Sequence, residues 1–421
     1  MEVSSTSDRS RYYFFGSIRS FCLFFVFFFH CTRIFDAEDW HVKNDIRTSF
    51  GPFFFYDAGM IVMPVFFFIS GASIWFSIQK RSVGIFIKNL FKRFFFPLVF
   101  GVTLLAIPQV WVERVFHGEF HGSLISFIPY YFHGFYGFGG NFAWMGLHLW
   151  YLFMLFVFSL ILVPYFISGK YIFKHRFFEK IFSSPIIFLL LALIICIPGW
   201  KLHPGGWLGI RVWGGWNFAE HFVFFAAGFA IFSSSKFVDN NRKYKWIALL
   251  IAAVLTPLVV YWGFQTQKPI FRSFDFNIHI IVRSIACWAG ISAMLGFSYQ
   301  YANTEKRILD YANRAALPFY ILNQPIIIAM GFYIVKLHMS VYYKFSLITV
   351  GSFLITIFLY ELIKRNEYAR WIFGIPRKGS VKKINTMLSG TTRLIYKLKF
   401  GFPHHSATNA DSQKKENKDR A

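Results

Sequence analysis

The sequence predicts an all-α, polytopic membrane protein of about ten transmembrane helices, with both termini on the cytoplasmic side. Three observations carry that expectation. The chain is 56% apolar and 22% aromatic with a positive mean hydropathy, too greasy for a soluble domain of 421 residues. Its apolar runs have the length of a bilayer crossing, roughly 17 to 25 residues. The segments between those runs alternate in basic charge, as the positive-inside rule requires.

In chain order, the first run covers about 12–35. It is too long and too interrupted by Arg19 for a cleaved signal peptide, and no small-residue cleavage site follows it. Further runs lie at about 58–79, 94–112, 147–168, 184–199, 216–233, 246–264, 277–299, 315–335 and 343–363. The run at 184–199 is short and ends in Pro198-Gly199, the pattern of a tilted, partial or re-entrant segment. Segments 80–93, 169–183, 234–245 and 300–314 carry five, four, four and three Lys or Arg. Segments 36–57, 113–146, 200–215 and 265–276 carry two, one, two and two, and the last connection has Lys336 alone. The alternation persists through all ten runs, which places both termini in the cytoplasm and supports an even count.

The expected domains are a membrane domain over 10–365 and a basic cytoplasmic tail over 366–421. The tail carries RKGSVKK and TRLIYKLK, a composition suited to anionic lipid headgroups, and its end reads as disordered. The net charge of +24 sits mostly in loops and tail rather than on a folded soluble face, so no nucleic acid is expected as a partner. The 59 Phe residues read as compositional filling of lipid-facing positions. Cys22, Cys31, Cys196 and Cys287 fall within apolar runs, at spacings that match neither a disulfide framework nor a metal site, so their expected role is packing. No phosphate-binding loop or dinucleotide fingerprint occurs, which argues against a nucleotide-driven pump.

Between Tyr12 and Cys31 in the first run, Arg19 and His30 are the only strongly polar side chains. Their spacing amounts to three helical turns plus about 20°, so both side chains fall on one helix face, about 16 Å apart along the axis. Ionisable groups at membrane depth are costly, and the default reading is functional. The bland alternative is a snorkelling Arg and a His satisfied by a neighbouring helix. Other polar residues have weaker claims. Arg93, with Lys92 beside it, precedes Pro97 in KRFFFP, where positive-inside anchoring alone explains it. Ser70-Gly71 reads as close helix packing. His148 and Trp150 in HLWYL resemble an interfacial aromatic belt. Glu220, followed by His221, either pairs with Arg283 or meets a substrate. Asn323 in LPFYILNQP is expected mid-span and needs partners.

Five segments, in this order, resemble the acyltransferase 3 family of integral membrane acyltransferases. They are the Arg19 and His30 pair, Met63 to Gly71 (MPVFFFISG), Phe86 to Pro97 (FIKNLFKRFFFP), His148 to Leu152 (HLWYL) and Leu317 to Pro325 (LPFYILNQP). The resemblance runs from about 10 to 365 and is greatest to the branch of the glucan biosynthesis protein C type. It implies an enzyme that moves an acyl group of acetyl or succinyl type from cytoplasmic acyl-CoA to hydroxyls of a cell-surface or periplasmic glycan. It further implies a bacterial inner-membrane location and no bound cofactor, with acyl-CoA as donor substrate and a carbohydrate acceptor and membrane lipid as partners. Matched residue by residue, the family's critical pair falls on Arg19 and His30, and the second arginine of its paired basic motif on Arg93. Two positions depart from the pattern. Leu90 stands where the first arginine of that motif is usual, and Asn323 where the family often has His.

The chemistry agrees with the resemblance. Acyl transfer to a hydroxyl needs a base to take its proton or a nucleophile to hold the acyl group, and His30 is able to serve as either. Arg19, Arg93 and Lys92 are then candidates for the donor's phosphates or pantetheine carbonyl. His148, Trp150, Glu220 and Asn323 are candidates on the acceptor side, with Glu113 a further one. No metal ligand set is expected. Two other functions remain open from sequence: a transporter or flippase of a lipid or acyl-linked solute, and a non-catalytic scaffold, which the departures at Leu90 and Asn323 would allow.

Overall fold

The computed structural model describes residues 6–48, 50–79, 81–212, 214–264, 269–303 and 307–375. The expected basic tail from 376 onward lies outside the described residues. The described residues belong to a compact unit that ends at Ile375, and apart from an isolated bridge between Phe135 and Phe142 their regular structure is helical.

The helices are α1 (Thr6–Thr32), α2 (Phe50–Ile78), α3 (Val83–Phe116), α4 (Leu124–Tyr131), α5 (Leu147–Ile161), α6 (Val163–Ile172) and α7 (Arg176–Ser183). They continue with α8 (Ile186–Lys201), α9 (Phe218–Ile231), α10 (Ser235–Phe264), α11 (Phe274–Tyr301), α12 (Arg307–Ile334), α13 (Val341–Ile363) and α14 (Glu367–Ile372). Each apolar run expected from the sequence coincides with a helix. Seven helices among the described residues are long and apolar enough to cross a membrane, and nine crossings result if α5 with α6 and α7 with α8, bent by 62° and 93°, each count as one. The run expected at 216–233 is the 14-residue α9, too short to qualify by length. Among the described residues, length and composition thus support seven to nine crossings, against the about ten expected.

The basic segment at 83–93, expected as a loop, is instead the first part of α3. Two prolines explain the shape of that helix. Pro97 has no N–H to offer the carbonyl of Arg93, and Pro108 none for Leu104. The chain passes each break in a wider turn, at Phe91–Phe95 and Gly101–Leu105, where the N–H of Phe96 donates to the carbonyl of Phe91 and that of Ala106 to Gly101. Such π-turns let a helix continue while re-aiming its side chains. Lys92 and Arg93 lie in the first of them.

At the centre, α2 and α9 approach closely enough for their backbones to touch. A Cβ on Gly71 would fall 2.0 Å from the carbonyl oxygen of Phe225, and one on Gly228 2.0 Å from that of Phe68. Ser70-Gly71 therefore has the packing role that small pairs have between membrane helices. Around this contact the core is aromatic: Phe67, Phe68, Phe158, Phe166, Phe224, Phe225 and Phe229 are fully buried. The expectation that Phe residues fill lipid-facing positions is corrected by these seven, although Phe21 and Phe24 do lie exposed. The four cysteines are free and buried. The short α14 is capped by Asn366, and Trp371 within it packs 4.9 Å from the ring of Phe96 on α3.

Candidate active site

Helix α1 supplies the axis of the site. Arg19, Leu23 and Val26 line one cavity of about 280 Å³, and His30 follows one turn beyond Val26 on the same face. α3 brings Asn89, Leu90 and Arg93 to this cavity, the connection before α3 brings Arg81, α2 brings Ser70, Ser73 and Ser77, and α5 and α12 bring Tyr151 and Tyr320. Arg19 and Arg93 come close enough for their charges to interact. Among the described residues neither has a carboxylate partner. Arg81 donates to the Ser77 hydroxyl over 3.2 Å. Tyr151 shares a hydrogen bond of 2.8 Å with Ser70 and donates to the carbonyl of Phe66 over 3.3 Å. Three guanidinium groups, with no acid among the described residues that line the cavity, give it the charge to accept anionic groups such as phosphates, which Arg binds through its planar fork of donors. Leu90 lines the same wall, so the departure from the paired basic motif lies in the cavity itself, with Asn89 and Arg81 as its polar neighbours.

His30 stands at the other end of the stripe. Its Nδ1 is buried and makes no hydrogen bond. The ring of His148 lies 6.4 Å away edge-on, and the indole of Trp40 lies 6.3 Å away and nearly parallel, at 11°. His148 is fixed by α12: its Nε2–H donates to the carbonyl of Ile321 over 3.2 Å, and the Tyr320 hydroxyl donates to the carbonyl of His148. That bond leaves the His148 Nδ1 lone pair facing buried surroundings without a partner. Tyr320 thus joins the two ends, since it also lines the arginine cavity. The His30 and His148 imidazoles do not line the arginine cavity, whose wall on α1 ends at Val26, but they form a pair of nitrogen bases one turn further along the same stripe, suited to taking a proton from a hydroxyl or to receiving an acyl group.

Beyond His30 lies a buried polar network that the sequence did not reveal. His41 Nδ1 pairs with Glu113, and the Tyr136 hydroxyl donates to both Glu113 oxygens, over 3.0 and 2.9 Å. Burial, reinforced by the neighbouring carboxylate, raises the Tyr136 phenol well above its ordinary value, so it remains a donor. Gln324 links His41 Nε2 to the Gln109 amide through contacts of 3.4 Å. Trp40, His41 and Tyr136 sit in connections rather than in apolar runs, which is why a search for polar residues inside spans passed over them. Arg81 was counted as loop charge for the same reason.

The remaining expected residues fall into place individually. Lys92 is exposed and is not part of the cavity wall. Trp150 packs 6.2 Å from Phe67 and 5.7 Å from His221. Asn323 is fully buried, but its amide donates back to the carbonyls of Phe319 and Tyr320, over 3.0 and 3.2 Å, and its next neighbour Gln324 is the residue that reaches the His41 network. Glu220 is fully buried, with both oxygens engaged. It accepts from the Asn217 N–H over 2.8 Å, closing a capping box at the start of α9, and pairs with Arg283, which itself lies over the ring of Trp216 at 4.0 Å and donates to the carbonyl of Gly215 over 2.7 Å. Of the two roles open to Glu220, the observed geometry corresponds to structural pairing with Arg283.

A profile of the acyltransferase 3 family, described as an acyltransferase domain, matches residues 12–361. The chain belongs to the acyltransferase 3 family. No curated protein and no solved structure gave a match. Membership makes the protein a membrane acyltransferase, and the matched region spans α1 to α13, including both ends of the α1 stripe.

Proposed function

We propose that this acyltransferase moves an acyl group of acetyl or succinyl type from acyl-CoA, held in the arginine cavity, to a hydroxyl of a cell-surface or periplasmic glycan beside His30. The observation that carries the proposal is the single stripe on α1. It begins with Arg19 in a cavity of unpaired guanidinium groups and ends at His30, whose Nδ1 is unengaged. Arg19, Arg93 and Arg81 would hold the phosphates of the donor, and the thioester would extend along Leu23 and Val26.

In the direct route the acceptor oxygen attacks the thioester carbonyl while its proton passes to the His30 imidazole. The C–S bond then breaks, and the departing thiolate takes up that proton, leaving an ester and free coenzyme A. In the two-step route His30 attacks first and carries the acyl group, and the acceptor displaces it. Both routes use the same lone pair. The Arg19 end would face the cytoplasm, in keeping with the loop charges, and α9 would complete ten crossings as a short span. The branch of the glucan biosynthesis protein C type, in a bacterial inner membrane, is the subfamily we favour.

The test compares ester substituents on the host's surface and periplasmic glycans by mass spectrometry, with the native protein, without it, and with His30→Ala at matched membrane levels. Loss of one acyl ester in both deficient strains is expected. Persistence of every ester in the His30→Ala strain would overturn the assignment.

A further inference from the structure

We infer that Trp40 is the platform on which a sugar ring of the acceptor docks next to His30, and that the buried His41 and Glu113 pair positions it. This rests on the function proposed above and names the acceptor-binding residue, which neither the motifs nor the family match assigns. The indole of Trp40 and the imidazole of His30 are nearly parallel, with centroids 6.3 Å apart, and both residues are only partly buried. An indole face is flat and apolar, the kind of surface against which the C–H face of a pyranose packs while its hydroxyls project at the rim, and Trp40 is half-buried rather than enclosed. A ring seated there brings its hydroxyls beside the partly buried His30 imidazole.

The connection that carries Trp40 is not a loose loop. At one side of Trp40, Arg33 pairs with Asp36 over 2.6 Å and with Glu38 over 2.7 Å, and Lys43 returns to Asp36 over 2.6 Å. The Asn44 and Thr48 N–H groups donate to the carbonyls of Ile34 and Phe35, over 2.9 and 2.7 Å. Lys344 on α13 donates to the Asn44 side chain over 3.0 Å. At the other side, His41, the residue next to Trp40, is held by Glu113 on α3, and Glu113 by Tyr136. An aromatic anchor fixed from behind by a buried hydrogen-bonded pair is what selective docking of a weakly interacting ligand requires. His41 and Glu113 are therefore positioning residues, and Trp40 is the contact.

Binding and transfer are measured separately on the full chain in lipid nanodiscs, with methyl β-D-glucopyranoside as the probe acceptor. Saturation-transfer NMR reads binding, and radiolabelled acetyl-CoA reads transfer. Binding is expected with the native protein and with His30→Ala. It should weaken at least about tenfold, or about 1.4 kcal/mol, in Trp40→Ala, recover largely in Trp40→Phe, and weaken in Glu113→Gln. Transfer should vanish in His30→Ala alone among variants that still bind. Equal binding by Trp40→Ala and native protein, or no binding by the native protein, overturns the inference. If Trp40→Ala fails to fold, Trp40→Phe against Trp40→Leu decides it: equal binding by those two counts against an aromatic platform. Transfer persisting in His30→Ala would instead refute the proposed function and leave the binding result standing.

Discussion

The two ends of the α1 stripe are built on opposite electrostatic plans. At the Arg19 end, Arg19, Arg93 and Arg81 gather around a cavity that no acid among the described residues lines. At the His30 end, by contrast, Glu113 is matched by His41 and Tyr136, and Asp36 by Arg33 and Lys43. Unpaired charge near a low-dielectric interior is costly to maintain, so its persistence marks a place where a ligand supplies the counter-charge. Paired charge costs less and holds geometry. The comparison suggests that the first end binds by charge and the second orients by shape, the division expected when a highly anionic donor meets a neutral acceptor.

The largest test of that division is at His30. Replacing it by Ala should lower the rate of acyl transfer by about 10²- to 10⁴-fold, the usual contribution of a general base, while acyl-CoA binding measured by calorimetry changes little. A His30→Ala enzyme that loses donor affinity as well would show that the two ends are not separable. Next come Arg19→Gln and Arg93→Gln. Each removes a charge-assisted contact worth about 1.5–3 kcal/mol, so the donor KM should rise about 10- to 100-fold with kcat much less affected. Equal losses in kcat would mean that these arginines act on the transition state instead.

Much of this was legible in the sequence because the cost of burying charge makes Arg19 and His30 conspicuous in an apolar run. Helical periodicity then put them on one face, and the structure has them there. The helix positions were legible for the same reason. What was not legible came from contacts between elements. Nothing local distinguishes Glu113, which joins the His41 network, from Glu220, which closes a helix cap and pairs with Arg283. Trp40 and His41 lie eleven residues or fewer after His30 in a connection whose path is fixed by ion pairs, and only the fold brings Trp40 back over the ring. The length of α9 was not legible either, because its apolar run continues past the 14-residue helix at both ends.

Smaller effects probe the edge of the cavity. Arg81 is exposed and held by one hydrogen bond to Ser77, so solvent screens its contribution. Arg81→Gln should raise the donor KM about two- to fivefold at low salt and by less at high salt, the pattern of a surface charge. A rise comparable to that of Arg19→Gln, insensitive to salt, would move Arg81 from the mouth of the site to its interior.

Lys92 supplies the smallest expected effect and the sharpest contrast, because it is adjacent in sequence to Arg93 and carries the same charge. Both residues lie in the π-turn at Phe91–Phe95 and both are exposed, but Arg93 lines the cavity and Lys92 does not. If binding depended on the general positive potential of this segment, Lys92→Ala and Arg93→Gln would raise the donor KM alike. If it depends on the cavity, Lys92→Ala should change the donor KM by no more than about twofold, in the range of an exposed charge. Steady-state kinetics of the two variants at two salt concentrations separate these cases. A salt-sensitive loss shared equally by both would replace a built anion site with a diffuse basic surface.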